Sequence, residues 1–197
     1  MNRILYTILP PCESCKANTI IKSRMFSKDE SGISIKASGI LEKVDNPENI
    51  STEVLKELYE QTFNIKNKLE DKAKSNIIGI TISVSLIVGS IKLISFLPAG
   101  IGRVSIAVLL VIGVSYMILS GWLAIYMLIE ENETYIIKIT SLGEGETVLR
   151  EDYSQCIEQN QSKNLIRNNY LFASYACIRN SLISLFIMFL IIIVSKC

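Results

Sequence analysis

The chain has 197 residues, 20 basic and 19 acidic, and its net charge of +1 points to neither a strongly acidic nor a strongly basic partner. It contains no histidine, which removes the usual general base and the commonest metal ligand. Its five cysteines, odd in number and scattered, suit a reducing cytoplasm better than a disulfide framework.

Residues 1–50 read as an irregular or β N-terminal arm. The apolar patch before Pro10-Pro11 is too short for a cleavable leader, so the chain is expected to insert through its own apolar runs. Residues 31–39 (SGISIKASG) alternate apolar and polar positions between glycines, the pattern of a short strand. Lys16, Lys22, Arg24, Lys28, Lys36 and Lys43 make the arm locally basic. Two readings stand side by side: a solvated terminus, or a docking surface for an anionic nucleotide or oligonucleotide. The arm lacks the interleaved aromatics that base stacking favours. Cys12-x-x-Cys15 is half a zinc site, and neither a histidine nor a second such pair completes it. No metal or cofactor is expected.

A helix is expected over 51–75, capped by Ser51 or Thr52 with Glu53 and Glu57 at its start. Leu55, Leu58, Thr62, Ile65, Leu69 and Ala73 recur at steps of three and four and make one apolar stripe. No glycine or proline separates this stripe from residues 76–97 (NIIGITISVSLIVGSIKLISFL), whose one charge is Lys92, so a single rod is expected. Residues 104–129 carry no charge. Each run matches the roughly 20 residues that a bilayer core requires. With the Pro98–Arg103 turn between them, 76–129 reads as a transmembrane hairpin. Thr81, Ser85, Gly89 and Lys92 share one face of the first span, either for close helix packing or as the lining of a pore in an assembly.

Residues 130–178 return to water through Glu130, Glu131 and Glu133. Residues 135–140 are a short strand or last helical turn, 142–146 a loop, and a second long helix is expected from Glu151 or Asp152. Asn160, Asn164 and Asn168, four apart, form a polar row suited either to a subunit interface or to solvent. Residues 179–197 supply a third span, with Arg179 and Asn180 turned toward protein. The expected fold is therefore a mainly α membrane protein with three transmembrane helices. The first and third extend into a cytoplasmic helical bundle. Lysines and arginines cluster before the first and third spans, which places the N-terminus and the soluble helices in the cytoplasm.

No catalytic constellation emerges from glycine-loop, nucleophile or metal-ligand patterns, so an enzyme is not expected. What remains is a channel or pore, or a non-conducting anchor or sensor whose cytoplasmic helices recruit a protein. A regulatory or assembly subunit of a transporter comes third. Three spans enclose no water path alone, so a channel requires a homo-oligomer. In its Ser51–Thr52 helix start, its 76–129 hairpin and its terminal span over 181–194, the layout resembles the small multi-span membrane effectors of bacterial anti-phage defence, of the CBASS and Hailong types. That resemblance implies an oligomeric ion channel, a tetramer favoured, in the bacterial inner membrane. A nucleotide-derived signal would control it, its opening would depolarise an infected cell, and a partner protein would be encoded with it. It directs attention to Lys16, Lys22, Arg24, Lys28, Lys163 and Arg167 as ligand-binding positions.

Overall fold

A computed structural model describes residues 8–26, 50–95, 100–129, 133–143 and 145–194. Among these the chain forms four α-helices and a short 3-10 turn, with no strand. The helices are α1 (Pro10–Phe26), α2 (Thr52–Ser95), α3 (Ile101–Ile129) and α4 (Glu146–Val194). The strand expected over 31–39 lies outside the described residues.

Where an irregular or β arm was expected, residues 10–26 are helical. Pro10 and Pro11 explain this: in the first turn a missing N–H removes no helical bond, and proline's fixed φ suits the start. Glu13 in the same turn complements the helix dipole. α1 lies antiparallel against α4, with Ser14 Oγ donating to the Asn169 carbonyl (3.1 Å) and Asn18 Nδ2 to that of Ile166 (3.4 Å).

α2 is one unbroken helix through Ser75. Ser51 starts it, its Oγ accepting from Val54 N and its carbonyl from Leu55 N. Leu55, Thr62, Leu69 and Asn76, seven apart, are buried with Ala73, whereas Ile65 of the expected stripe is exposed. α4 is 49 residues long, roughly 73 Å at 1.5 Å per residue. It begins at Glu146 rather than near residue 151. Gly145 takes a φ of 112°, open to glycine, and Glu146 accepts from Thr52 Oγ1 (2.7 Å) and Arg150 Nη2 (2.6 Å).

α2 and α4 run in one direction and pack on each other, and α3 runs the opposite way against both. Two of the described helices have stretches long and apolar enough to cross a membrane, Gly102–Ile129 and Glu146–Val194, rather than the three expected. Of the expected first span, the part up to Ser95 belongs to the described helix. It packs along the other two all the same. Asn76 Nδ2 donates to Ser174 Oγ (3.2 Å), and the Ser120 and Ser174 hydroxyls lie 2.8 Å apart, so three helices meet at one level. From there each runs about 20 residues to its far end, roughly 30 Å.

This level divides the bundle. Beyond it, Ile106, Met188 and Ile192 form a small core. The outward faces there are apolar too, with Val104, Val108, Val111, Phe186, Phe189 and Ile193 exposed. On the other side, Leu69, Ala73, Leu123, Met127, Ile166 and Leu171 form the main core. A third cluster of Leu55, Tyr153 and Ile157 closes the polar end, where Tyr59 meets Phe63 and Tyr153 edge-on.

Candidate functional site

Between the main core and the polar end, α4 carries a polar side chain on each successive inward turn: Asn160, Lys163, Asn164 and Arg167, all buried. They face α2 and the segment that leads from α3 to α4. Residues 133–138 of that segment are neither helix nor strand among the described residues. Asn160 pairs with its backbone. Its Oδ1 accepts from Tyr135 N (2.8 Å) and its Nδ2 donates to Tyr135 O (3.0 Å), the pair of bonds a neighbouring peptide would make. Asp152 Oδ2 holds the next stretch by accepting from Lys138 N (3.0 Å) and Ser141 Oγ (2.8 Å).

Arg167 is 1 % exposed and is the largest fully buried side chain among the described residues. Its Nη1 donates to Asn164 Oδ1 (2.6 Å) and its Nη2 to the Glu133 carbonyl (2.6 Å). Asn164 in turn donates through Nδ2 to the Thr62 carbonyl of α2 (2.8 Å). Lys163 Nζ pairs with Glu133 Oε2 at 3.1 Å, the lysine side chain 8 % exposed and the carboxylate 76 %. One belt of charge-assisted bonds thus ties α2, α4 and the exit of α3 together. Three of its members, Asn160, Asn164 and Arg167, hold backbone groups outside α4, at Tyr135, Thr62 and Glu133.

The ligand-binding positions expected from sequence do not gather into one open site. Lys163 and Arg167 turn inward to the belt, whereas Lys16 is exposed on α1 and Lys22 is half-buried there. Arg24 is in α1, with its side chain outside the described part, and Lys28 lies outside the described residues. Asn160 and Asn164, expected at a subunit interface or in solvent, are satisfied inside the chain, and Asn168 is exposed. Thr81 and Ser85 stand exposed on the outer face of α2, their hydroxyls donating to the Ile77 and Thr81 carbonyls. Gly89 and Lys92 belong to α2, with their surroundings outside the described part.

Several residues that sequence reasoning did not single out prove central. In the sequence, Glu133 signals only a return to water and Asp152 only a helix start. The seam between α3 and α4 is held by serines: Ser181 Oγ donates to Gly113 O (2.7 Å), Ser184 Oγ to Leu109 O (2.8 Å), and Ser120 and Ser174 bond each other's carbonyls. Their signal was present as serines at steps of seven and three in an apolar run.

Titration follows the same geography. Burial pushes the Cys156 thiol and the Tyr59 phenol up from their ordinary values. The hydrogen bonds from Thr52 and then Arg150 hold the Glu146 carboxyl below its ordinary value. Cys12 and Cys15 are free and exposed, and among the described residues no three metal-ligating side chains converge. Comparison with protein-family models, curated proteins and solved structures found no match.

Proposed function

We propose that this protein is an integral-membrane effector of a bacterial cell membrane that assembles as a homo-oligomer and forms a ligand-gated ion channel. The observation that carries this reading is the level at Asn76, Ser120 and Ser174. Three helices pass it together and continue about 20 residues, the thickness of a hydrocarbon core, with apolar faces turned outward. Trp122 (67 % exposed), Phe172 and Tyr175 surround the level, as aromatic side chains do where lipid meets water. α3 and α4 supply the crossing. The outer face of α2, with Thr81 and Ser85, is the one a neighbouring subunit would meet around a polar path.

In this reading the buried belt is the coupling element between the cytoplasmic half and the spans. A ligand shifts the channel only by binding one state more tightly than the other. A nucleotide phosphate that takes the place of the exposed Glu133 carboxylate on Lys163 would loosen the connection from α3 to α4 and let the long helices move. The nucleotide chemistry rests on the architectural resemblance to anti-phage effectors, and the belt supplies the place where it would act. Nothing in this mechanism requires a catalytic group.

A second reading, a non-conducting anchor that recruits a protein, draws on one observation. On the polar side, Ile125, Ile129, Ile136, Ile139 and Leu142 are exposed. Planar-bilayer recording of the purified full chain, with and without short oligonucleotides, separates the two. Current that changes with the oligonucleotide supports the channel, and silence in both conditions supports the anchor. The mass of the detergent-solubilised particle provides an independent check, since a monomer would exclude the channel.

A further inference from the structure

Beyond the level where the helices meet, α2, α3 and α4 leave an open-sided crevice of about 190 Å³ lined by Ser83, Ile87, Met117, Leu182, Leu185, Met188 and Phe189. A water occupies about 30 Å³ of liquid, so this space is several groups long. Its one polar lining side chain has no call on a solvent molecule, because Ser83 Oγ donates to the Gly79 carbonyl (2.8 Å). An apolar space with no unmet polar group takes hydrocarbon rather than water.

About one helical turn before the crevice, α4 carries a cation. Arg179 is three residues before Leu182, and side chains three apart on a helix are neighbours. The side chain is exposed, and among the described residues its hydrogen bonds are two long ones to Asn180 Oδ1, at 3.3 and 3.4 Å. A guanidinium has five N–H donors, which leaves a planar fork suited to phosphate. Helical side chains tilt toward the helix N-terminus, and for α4 that direction leads to the polar half. The charge therefore reaches toward the headgroup layer, while the crevice runs the other way, over 182–189, roughly 10 Å into the apolar half. No acidic residue is present in α4 after Glu158 to compete for it.

We infer that this crevice is a binding site for an anionic phospholipid, with the phosphate on Arg179 and an acyl chain along Leu182, Leu185 and Phe189. The inference rests on the membrane reading above but not on conduction. It assigns Arg179 a lipid partner instead of the inward, protein-facing role expected from sequence.

The test is native mass spectrometry of the full chain in detergent, with phosphatidylglycerol and phosphatidylcholine of identical acyl chains supplied in equal amounts. Phosphatidylglycerol should be retained roughly tenfold better, because phosphatidylcholine offers the same phosphate but brings a choline cation beside the guanidinium. Arg179→Gln should bring the two lipids level, and Arg179→Lys should keep part of the preference. Glycerol phosphate alone should not displace the lipid. Equal retention by the unaltered protein, a preference that survives Arg179→Gln, or displacement by glycerol phosphate would each overturn the site. Failure of the underlying reading looks different: alkaline carbonate would then leave the chain in the supernatant rather than in the membrane pellet.

Discussion

The two halves of the bundle are held together by different chemistry. In the polar half, helices are joined by long side chains that reach across to backbone groups, such as Arg167 to Glu133, Asn164 to Thr62 and Asn160 to Tyr135. In the apolar half the reach is short. Ser181 and Ser184 donate to carbonyls of α3, and at Gly113 an added Cβ would lie 3.3 Å from the Leu185 side chain. On the membrane reading proposed above, the difference follows from the surroundings. Where water surrounds the helices, burial of apolar area drives them together and polar residues select the register. Where lipid surrounds them, apolar side chains gain little from facing each other, and close backbone approach with internally satisfied hydroxyls replaces that drive.

If this contrast is right, the largest effect should come from the polar belt. Arg167→Ala leaves the Asn164 amide oxygen and the Glu133 carbonyl without their buried partner and, at about 1–3 kcal/mol for each unsatisfied group, should cost about 2–6 kcal/mol. The loss would appear as a lower midpoint when helicity is followed by circular dichroism in a denaturing-detergent titration. Substitution of Asn160 by Ala should cost less, about 1–3 kcal/mol, since it exposes one N–H and one C=O of Tyr135. Its signature is faster proteolytic cleavage between 133 and 143. An unchanged cleavage rate would show that Asp152 alone holds the segment.

Two glycines test the apolar half. Gly113→Val forces Leu185 and Ser181 aside and should cost about 1–3 kcal/mol. Gly79→Ala meets nothing within 4 Å and should be neutral or stabilise α2 by up to about 1 kcal/mol through helix propensity. If the two behave alike, the close approach of α3 and α4 is not what holds that half. Ser184→Ala should cost only about 0.6 kcal/mol, the usual worth of a hydrogen bond between helices in lipid.

The smallest expected effect concerns pH. Glu146 has its carboxyl depressed in the folded chain, so its contribution is present above the ordinary glutamate range and lost as pH falls through the folded value. Glu146→Gln should flatten the acid limb of a melting-temperature profile and leave the neutral region unchanged.

Much of this molecule is legible one residue at a time. Helix α2 continues through Ser75 because nothing in the run from Thr52 onward breaks a helix, and the apolar stretch over 104–129 needs only composition and length to be seen. The start of α2 at Ser51–Thr52 is local capping chemistry and was equally visible. Local signals misled where their meaning depends on neighbours: Pro10-Pro11 reads as a stop from one side and as a helix start from the other.

The belt was beyond the sequence altogether. Asn160, Asn164, Lys163 and Arg167 look like a solvated or intersubunit face until a segment about thirty residues earlier folds over them. Tyr135 and Glu133 supply backbone groups, which carry no residue-type signal, so no spacing in the chain announces the contact. Periodicity identifies which side of a helix is polar. Only the packed structure decides what that side touches, because the partner is chosen by three-dimensional closure rather than by any property of the segment itself.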